Sequence, residues 1–285
     1  MSFVISTDSA ANLPTSIIKE NDLVVVPLLY SYNGEDHHAT YLEDFDADAY
    51  YEMIKTVDVK TSTVNIQQFH DAWEPLLKAG KDILHISVSS GISSTYQTSH
   101  MAMEMLQEDY PDRVIYTIDT YAASLGEGLS VIDAIEYRKN GLTILEAADK
   151  IEKRRSKMRQ VFTVDDLMFL KKGGRLSGAA ALLGSLLSIK PILIGNEIGQ
   201  IILRSKERGR KSAMRELLKE YKEMVADPVN DTVCIAHCAA YKDTEWLENE
   251  IKAIHPEQKV ISVIYEPVTG CHVGTGTVAL FFWKK

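Results

Sequence analysis

The chain's 285 residues correspond to about two domains at roughly 150 residues each, and an apolar fraction of 45% is enough to bury a core in both. Its 31 Lys and Arg against 40 Asp and Glu leave a net charge of −9, which argues against a phosphate-backbone footprint and so against nucleic acid as a partner. The longest apolar stretch, Gly178 to Ile189, is shorter than the roughly 18 residues needed to cross a bilayer and is broken by Gly and Ser.

The opening MSFVISTDSA has neither a basic segment nor a long apolar one, so it reads as a first strand, and the cytosol is the expected location. Ser2–Thr7, Leu23–Tyr30, Asp82–Val88 and Val114–Asp119 read as strands, with helices over Ile66–Lys78, Thr95–Gln107 and Ser124–Arg138. That alternation predicts an α/β unit with a largely parallel sheet. A capping box, Thr143 with Glu146, opens a further helix toward Lys157 with apolar residues at Ile144, Ala147, Ala148 and Ile151. The first domain is therefore set at residues 1–158.

From residue 159 the strands are spaced differently: Gln160–Val164, Pro191–Ile194, Gln200–Leu203, Thr232–His237, Val260–Tyr265 and Thr277–Phe282. The turn Gly195–Gly199 joins two of them as a hairpin, which requires antiparallel pairing, so the second domain, 159–285, reads as α+β. Its longest helix, about Gly209 to Ala226, carries Met214, Leu217, Leu218, Tyr221 and Met224 at core spacing. A cleft between the two units is the default ligand site.

Five segments hold more Ser, Thr, Gly and His than packing requires. STDSA at 6–10 comes after the first strand, where open α/β sheets place ligands, although Asp8 and Ser9 serve equally as caps for the next segment. KTSTVN at 60–65 supplies three hydroxyls, Thr61, Ser62 and Thr63, where one cap needs one. SSGISSTYQTS at 89–99 puts Ser93 where hydroxyls meet a helix N-terminus, which suits an anion. DDLMFLKKGGRLSG at 165–178 brings Lys171, Lys172 and Arg175 to a Gly-Gly turn, read either as a solvated face or as local positive charge. VTGCHVGTG at 268–276 holds His272 in what reads as a glycine-rich loop.

Cys234, Cys238 and Cys271 are an odd count and are expected as free thiols; Cys234-Ile-Ala-His237-Cys238 on one strand has the wrong geometry for zinc, so no metal is expected. The sequence also lacks a Walker A motif, a G-x-G-x-x-G after a strand and a paired-carboxylate motif.

In their order and spacing these segments, with IDTYAASLGEG at 118–128 and IKPILIG at 189–195, resemble the DegV family of bacterial fatty-acid-binding proteins along essentially the whole chain. The resemblance implies two α/β domains with a long-chain fatty acid in a tunnel between them and no cofactor. It implies carboxylate contacts from Thr61, Ser93 and His272, with Ser62 and Ser94 beside them. It further implies a carrier that presents its ligand to a separate cytosolic, dihydroxyacetone-kinase-like fatty acid kinase, which makes an acyl phosphate for phospholipid synthesis; transient membrane encounters belong to that picture. Arg175 and Arg208 are the implied contacts to the kinase or the phosphorylated head, with Arg204 and Arg210 close competitors for the second position. The segment Gly178–Ile189 suits a helix lining the tunnel or a plain core helix.

Two departures bear on loop stiffness: Val64 and Thr275 stand where the family usually has Pro, which fixes φ. Ser94 replaces a common Gly. The rival reading is a serine hydrolase acting on acyl esters through Ser93, His272 and Asp8, but Gly91-Ile-Ser93-Ser-Thr95 lacks the second glycine of G-x-S-x-G.

Overall fold

The computed structural model describes residues 3–39, 45–177 and 189–285. Its first half runs β1 (Val4–Asp8), α1 (Thr15–Glu20), β2 (Val24–Val26), β3 (Leu29–Tyr32), β4 (Glu35–His38), α2 (Ala47–Met53), β5 (Lys60–Ser62), α3 (Ile66–Lys78), β6 (Ile83–Ser87), α4 (Thr95–Asp109), β7 (Ile115–Asp119), α5 (Leu125–Lys139) and α6 (Ile144–Arg154). The second half runs β8 (Met158–Thr163), α7 (Met168–Lys172), β9 (Ile189–Gly195), β10 (Ile201–Arg208), α8 (Arg210–Met224), β11 (Thr232–His237), α9 (Tyr241–Ile254), β12 (Lys259–Ile264), α10 (Pro267–Val273) and β13 (Val278–Trp283).

Helical crossovers between apolar strands give a parallel sheet, here in the order β2-β1-β6-β7. The stretch Leu23–Tyr30, read from sequence as one strand, is two. Pro27 lacks an N–H and ends β2, the Leu28 N–H donates to Ser9 Oγ at 3.0 Å, and the chain turns away as β3. β3 belongs to a small antiparallel sheet, β4-β3-β5, closed by the Asn33-Gly34 turn with φ of 52° and 84°.

The second half forms a six-stranded sheet, β10-β9-β8-β13-β11-β12, in which β11 and β12 are parallel and the other neighbours antiparallel. The hairpin expected at Gly195–Gly199 joins β9 to β10, and Asn196 Oδ1 stiffens it by accepting from Ile198 N and Gln200 N. The stripe expected on α8 is core: Met214, Leu217, Leu218 and Tyr221 pack on Val161, Leu280 and Phe282 of one sheet face, with Met224 partly buried beside them.

α5 lies between the two large sheets and touches strands of both. Its first turns are buried all round, and Gly128 lets it close on β1's end: a Cβ there would sit 2.8 Å from Ala11 O. One apolar core therefore runs from Ile5, Leu84 and Ile118 across α5 to Phe162, Leu193 and Phe281. Apart from Ile189, the Ala/Leu-rich segment read as a tunnel helix lies outside the described residues. Among the described residues, no helix is long and apolar enough to cross a membrane and no group of three His, Cys, Asp or Glu side chains could hold a metal. The three cysteines are free thiols.

Candidate functional site

The site begins with the register of the small sheet. Tyr30 pairs with Thr61 and Leu29 with Ser62, so the two hydroxyls of β5 point to opposite faces, Thr61 partly buried and Ser62 exposed. Neither caps α3; Asn65 does, with Gln68 completing a capping box. Thr61 Oγ1 lies 3.0 Å from His272 Nε2, across 211 residues of sequence.

His272 sits in the last turn of α10 and not in a loop, as the glycines had suggested. Pro267 opens that helix, the buried Glu266 carboxylate accepts from Val268 N and Thr269 N, and Gly274, with φ of 80°, ends it. The imidazole leans on Gly173, where a Cβ would lie 2.3 Å from Nδ1. Burial, and then the positive charge of Arg175, push the His272 pKa down to about 4, so the ring is neutral at pH 7.

Contacts continue from there to Ser93. Arg175 donates from Nε to Ile92 O at 3.1 Å and from its guanidinium to Gly173 O. Next to Ile92, Ser93 Oγ lies 2.9 Å from Thr95 Oγ1 and accepts from Thr95 N at 3.2 Å, at the start of α4. Thr61, Ser62, Ser93, Arg175 and His272 all line one cavity with about 880 Å³ of unfilled space, its mouth included. Its other walls are mostly apolar, with Phe162, Leu170, Ile201, Val273 and Phe281 contributing from the second half of the chain.

Ser94 is exposed and lines an outer, open depression with Ser90, Gln97 and Gly174; Ser93 and Arg175 border both spaces. Arg208 ends β10, exposed and outside the cavity. Its competitors are engaged, Arg204 with Glu220 and Arg210 with Asp243 at 2.8 Å.

Gln160, Tyr265 and Thr269 line the cavity without having been singled out in the sequence. Gln160 is satisfied at both ends, accepting from Ala123 N and donating to Tyr121 O, each at 3.0 Å. Its signal was one polar residue two positions before the inward Phe162 on β8. The two departures from proline have side-chain substitutes: Val64 is fully buried in a core cluster, and Thr275 Oγ1 donates to Tyr51 O at 2.7 Å.

The hydrolase triad is not assembled. His272 pairs with Thr61, Ser93 with Thr95, and Asp8 is a brace: Oδ1 accepts from Ala10 N, and Oδ2 from Val88 N and the Ser87 hydroxyl. Burial pushes the Asp8 pKa up to about 6 against those hydrogen bonds.

Fold and site together define a class: an α/β protein of two large sheets and one small one, enclosing a mostly apolar cavity that carries hydroxyls and a neutral imidazole. The family model described as "Uncharacterised protein, DegV family" matches residues 2–285, and the chain belongs to that family. A DegV domain-containing protein of Clostridium perfringens is 38% identical over 285 residues, covering 98% of this chain and 97% of that one. Among solved structures, a DegV family protein from Thermus thermophilus, described by its fatty acid binding, superimposes with a TM-score of 0.90 at 26% identity over 100% of both chains. A fatty acid binding DegV family protein from Streptococcus agalactiae does so with a TM-score of 0.86 at 30% identity, covering 100% of this chain and 99% of that one. The fold is the DegV fold.

Proposed function

We propose that this protein holds one long-chain fatty acid in the cavity, its carboxylate against Thr61, Ser93 and His272, and presents that carboxylate to a separate ATP-dependent kinase. The observation that carries the reading is the Thr61–His272 pair, joined through Gly173, Arg175 and Ile92 to Ser93 on the wall of a mostly apolar space. The fatty-acid-binding relatives support it.

A fatty acid is ionised at pH 7, and its head leaves water only where donors replace it. Two hydroxyls and one imidazole N–H are such donors, and a neutral ring adds no fixed charge that would hold a ligand meant for transfer. The tail needs only apolar walls: at about 0.8 kcal/mol per buried CH₂, a chain of about 14 methylenes offers on the order of 11 kcal/mol before entropy and strain. In the transfer, a carboxylate oxygen attacks the γ-phosphorus of ATP and ADP leaves, with the nucleotide on the kinase. Arg175, at the border of cavity and outer depression, and Arg208, exposed on β10, are assigned to the kinase and the new phosphate. The same reading divides the chain into domains 1–158 and 159–285 and places the protein in the cytosol, with transient visits to the membrane to exchange ligand.

Native mass spectrometry after mild purification tests the ligand class. The expected result is an adduct of fatty-acid mass, with added oleate raising the melting temperature. No adduct together with no shift overturns the reading. Reconstitution with the kinase tests the carrier role: Arg208→Glu, exposed and outside the cavity, should keep oleate binding and lower acyl-phosphate yield, and an equal yield would remove Arg208 from the partner surface.

A further inference from the structure

The turn that carries Ser93 depends on the opposite half of the molecule. Ser89, fully buried, is its hub: its N–H donates to Ala122 O at 2.8 Å, and its carbonyl accepts from Ile92 N at 3.2 Å and Ser93 N at 3.1 Å. Its hydroxyl accepts from Gly91 N and donates to Gly199 O, both at 3.0 Å. Gly199 belongs to the β9–β10 turn of the six-stranded sheet, whereas Ser89 comes just after β6 of the parallel sheet.

The two turns meet backbone to backbone, and only glycine permits it. A Cβ on Gly91 would stand 2.5 Å from Ile198 O and 2.7 Å from Gly199 C. On Gly199, where φ is 72°, it would stand 1.9 Å from Ser89 Oγ and 2.8 Å from Tyr121 Cα. Both partners are stiff. Asn196 Oδ1 fixes the hairpin from within, and Arg175 Nε fastens the far side of the serine turn through Ile92 O.

We infer that Ser89 is a positioning residue for the carboxylate site: with Gly91 and Gly199 it clasps the β9–β10 turn to the Ser89–Ser93 turn and so sets the Ser93 hydroxyl relative to the cavity wall. The inference rests on the fatty-acid reading above. Its reason is geometric. Gly195, Gly199 and Ile201 bring the wall from one sheet, Ser93 comes from the end of the other, and a hydrogen bond weakens steeply with misalignment. A donor and a wall on separate sheets keep one geometry only if something keys them together at the site.

The test is a double-mutant cycle on oleate affinity with Ser89→Ala and Ser93→Ala, and with Gly91→Ala as an independent way of lifting the hairpin. Ser89→Ala should weaken oleate binding by about two- to tenfold, the range for one hydrogen bond. In the Ser93→Ala background it should cost nothing further, and Gly91→Ala should show the same coupling. A purely structural role would lower the melting temperature of both backgrounds alike without any coupling. If Ser89→Ala does not fold, Gly91→Ala carries the cycle alone. Equal losses with Ser or Ala at position 93, or no loss in either background, overturn the positioning role while leaving oleate binding by the unsubstituted protein intact. An unsubstituted protein that ignores oleate removes the fatty-acid reading, and the positioning role with it.

Discussion

Ser6–Ala10 and Ser89–Ser94 are both rich in small polar residues and stand at the ends of adjacent strands of one parallel sheet, yet beyond the buried, doubly bonded Ser89 their hydroxyls have opposite fates. In the first, Ser6 Oγ accepts from Trp73 Nε1 at 3.0 Å and meets His85 Nδ1 at 3.1 Å, and the Thr7 hydroxyl lies 2.8 Å from both Ile86 O and Glu127 Oε1. Asp8 Oδ1 accepts from Ala10 N in its own segment and Oδ2 from the Ser87 hydroxyl and Val88 N of the neighbouring one, and Ser9 takes the Leu28 N–H that Pro27 left outside the sheet. All four are buried. In the second, Ser93 has a single short-range partner and lines open space, and Ser94 is exposed. Polar composition therefore does not mark a site; polar groups whose partners are still to come do. Asp8 also connects the two, since its Oδ2 holds the Val88 N–H just ahead of Ser89.

The largest effect should come from breaking the closed segment. Asp8→Ala orphans the buried Ala10 and Val88 N–H groups and should cost about 3 kcal/mol or more of folding stability in urea titration. A loss below about 1 kcal/mol would erase the distinction. Thr61→Ala, Ser93→Ala and His272→Ala should do the reverse, each weakening oleate binding by roughly 1.5–3 kcal/mol with little change in melting temperature. Unchanged affinity in all three would put the open segment on the same footing as the closed one.

A pH series sharpens the contrast. Asp8 is raised from 3.8 to about 6 in the folded protein, so its contribution is greatest below the unfolded pKa and is lost as pH rises through 6. His85, buried beside Ser6 and lowered from 6.5 to about 3, acts oppositely, losing stability as pH falls below 6.5. Asn cannot ionise, so the melting temperature of Asp8→Asn relative to the unsubstituted protein should climb between pH 4 and 7; a constant difference would contradict the assignment. The smallest effect is Ser9→Ala, which leaves only the Leu28 N–H unpaired and should cost about 1 kcal/mol of stability, with oleate affinity unchanged.

How much of this was legible in the sequence depends on how local each signal is. The parallel strands, the Thr143–Glu146 capping box, the α8 core stripe and the Asn196 hairpin are written in residues within a turn or two of one another, and the structure has them. The β4-β3-β5 sheet was missed because β4 is polar and β5 only three residues long; Asn33-Gly34 was the one clue available. Gly270 and Gly274 made a loop of α10, although Glu266-Pro267 is a start signal and a short helix tolerates glycine packed against Tyr51. The pairing of Thr61 with His272 and the clasp of Ser89 on Gly199 join residues 211 and 110 apart, and no spacing rule reaches that far.

The most direct measurement is a crystal structure of the protein with oleate. The carboxylate should lie within hydrogen-bond distance of Thr61 Oγ1 and Ser93 Oγ, with His272 beside them and the chain running along Phe162 and Phe281. A carboxylate held by Gln160 instead, or a chain lying outside this cavity, would contradict the account.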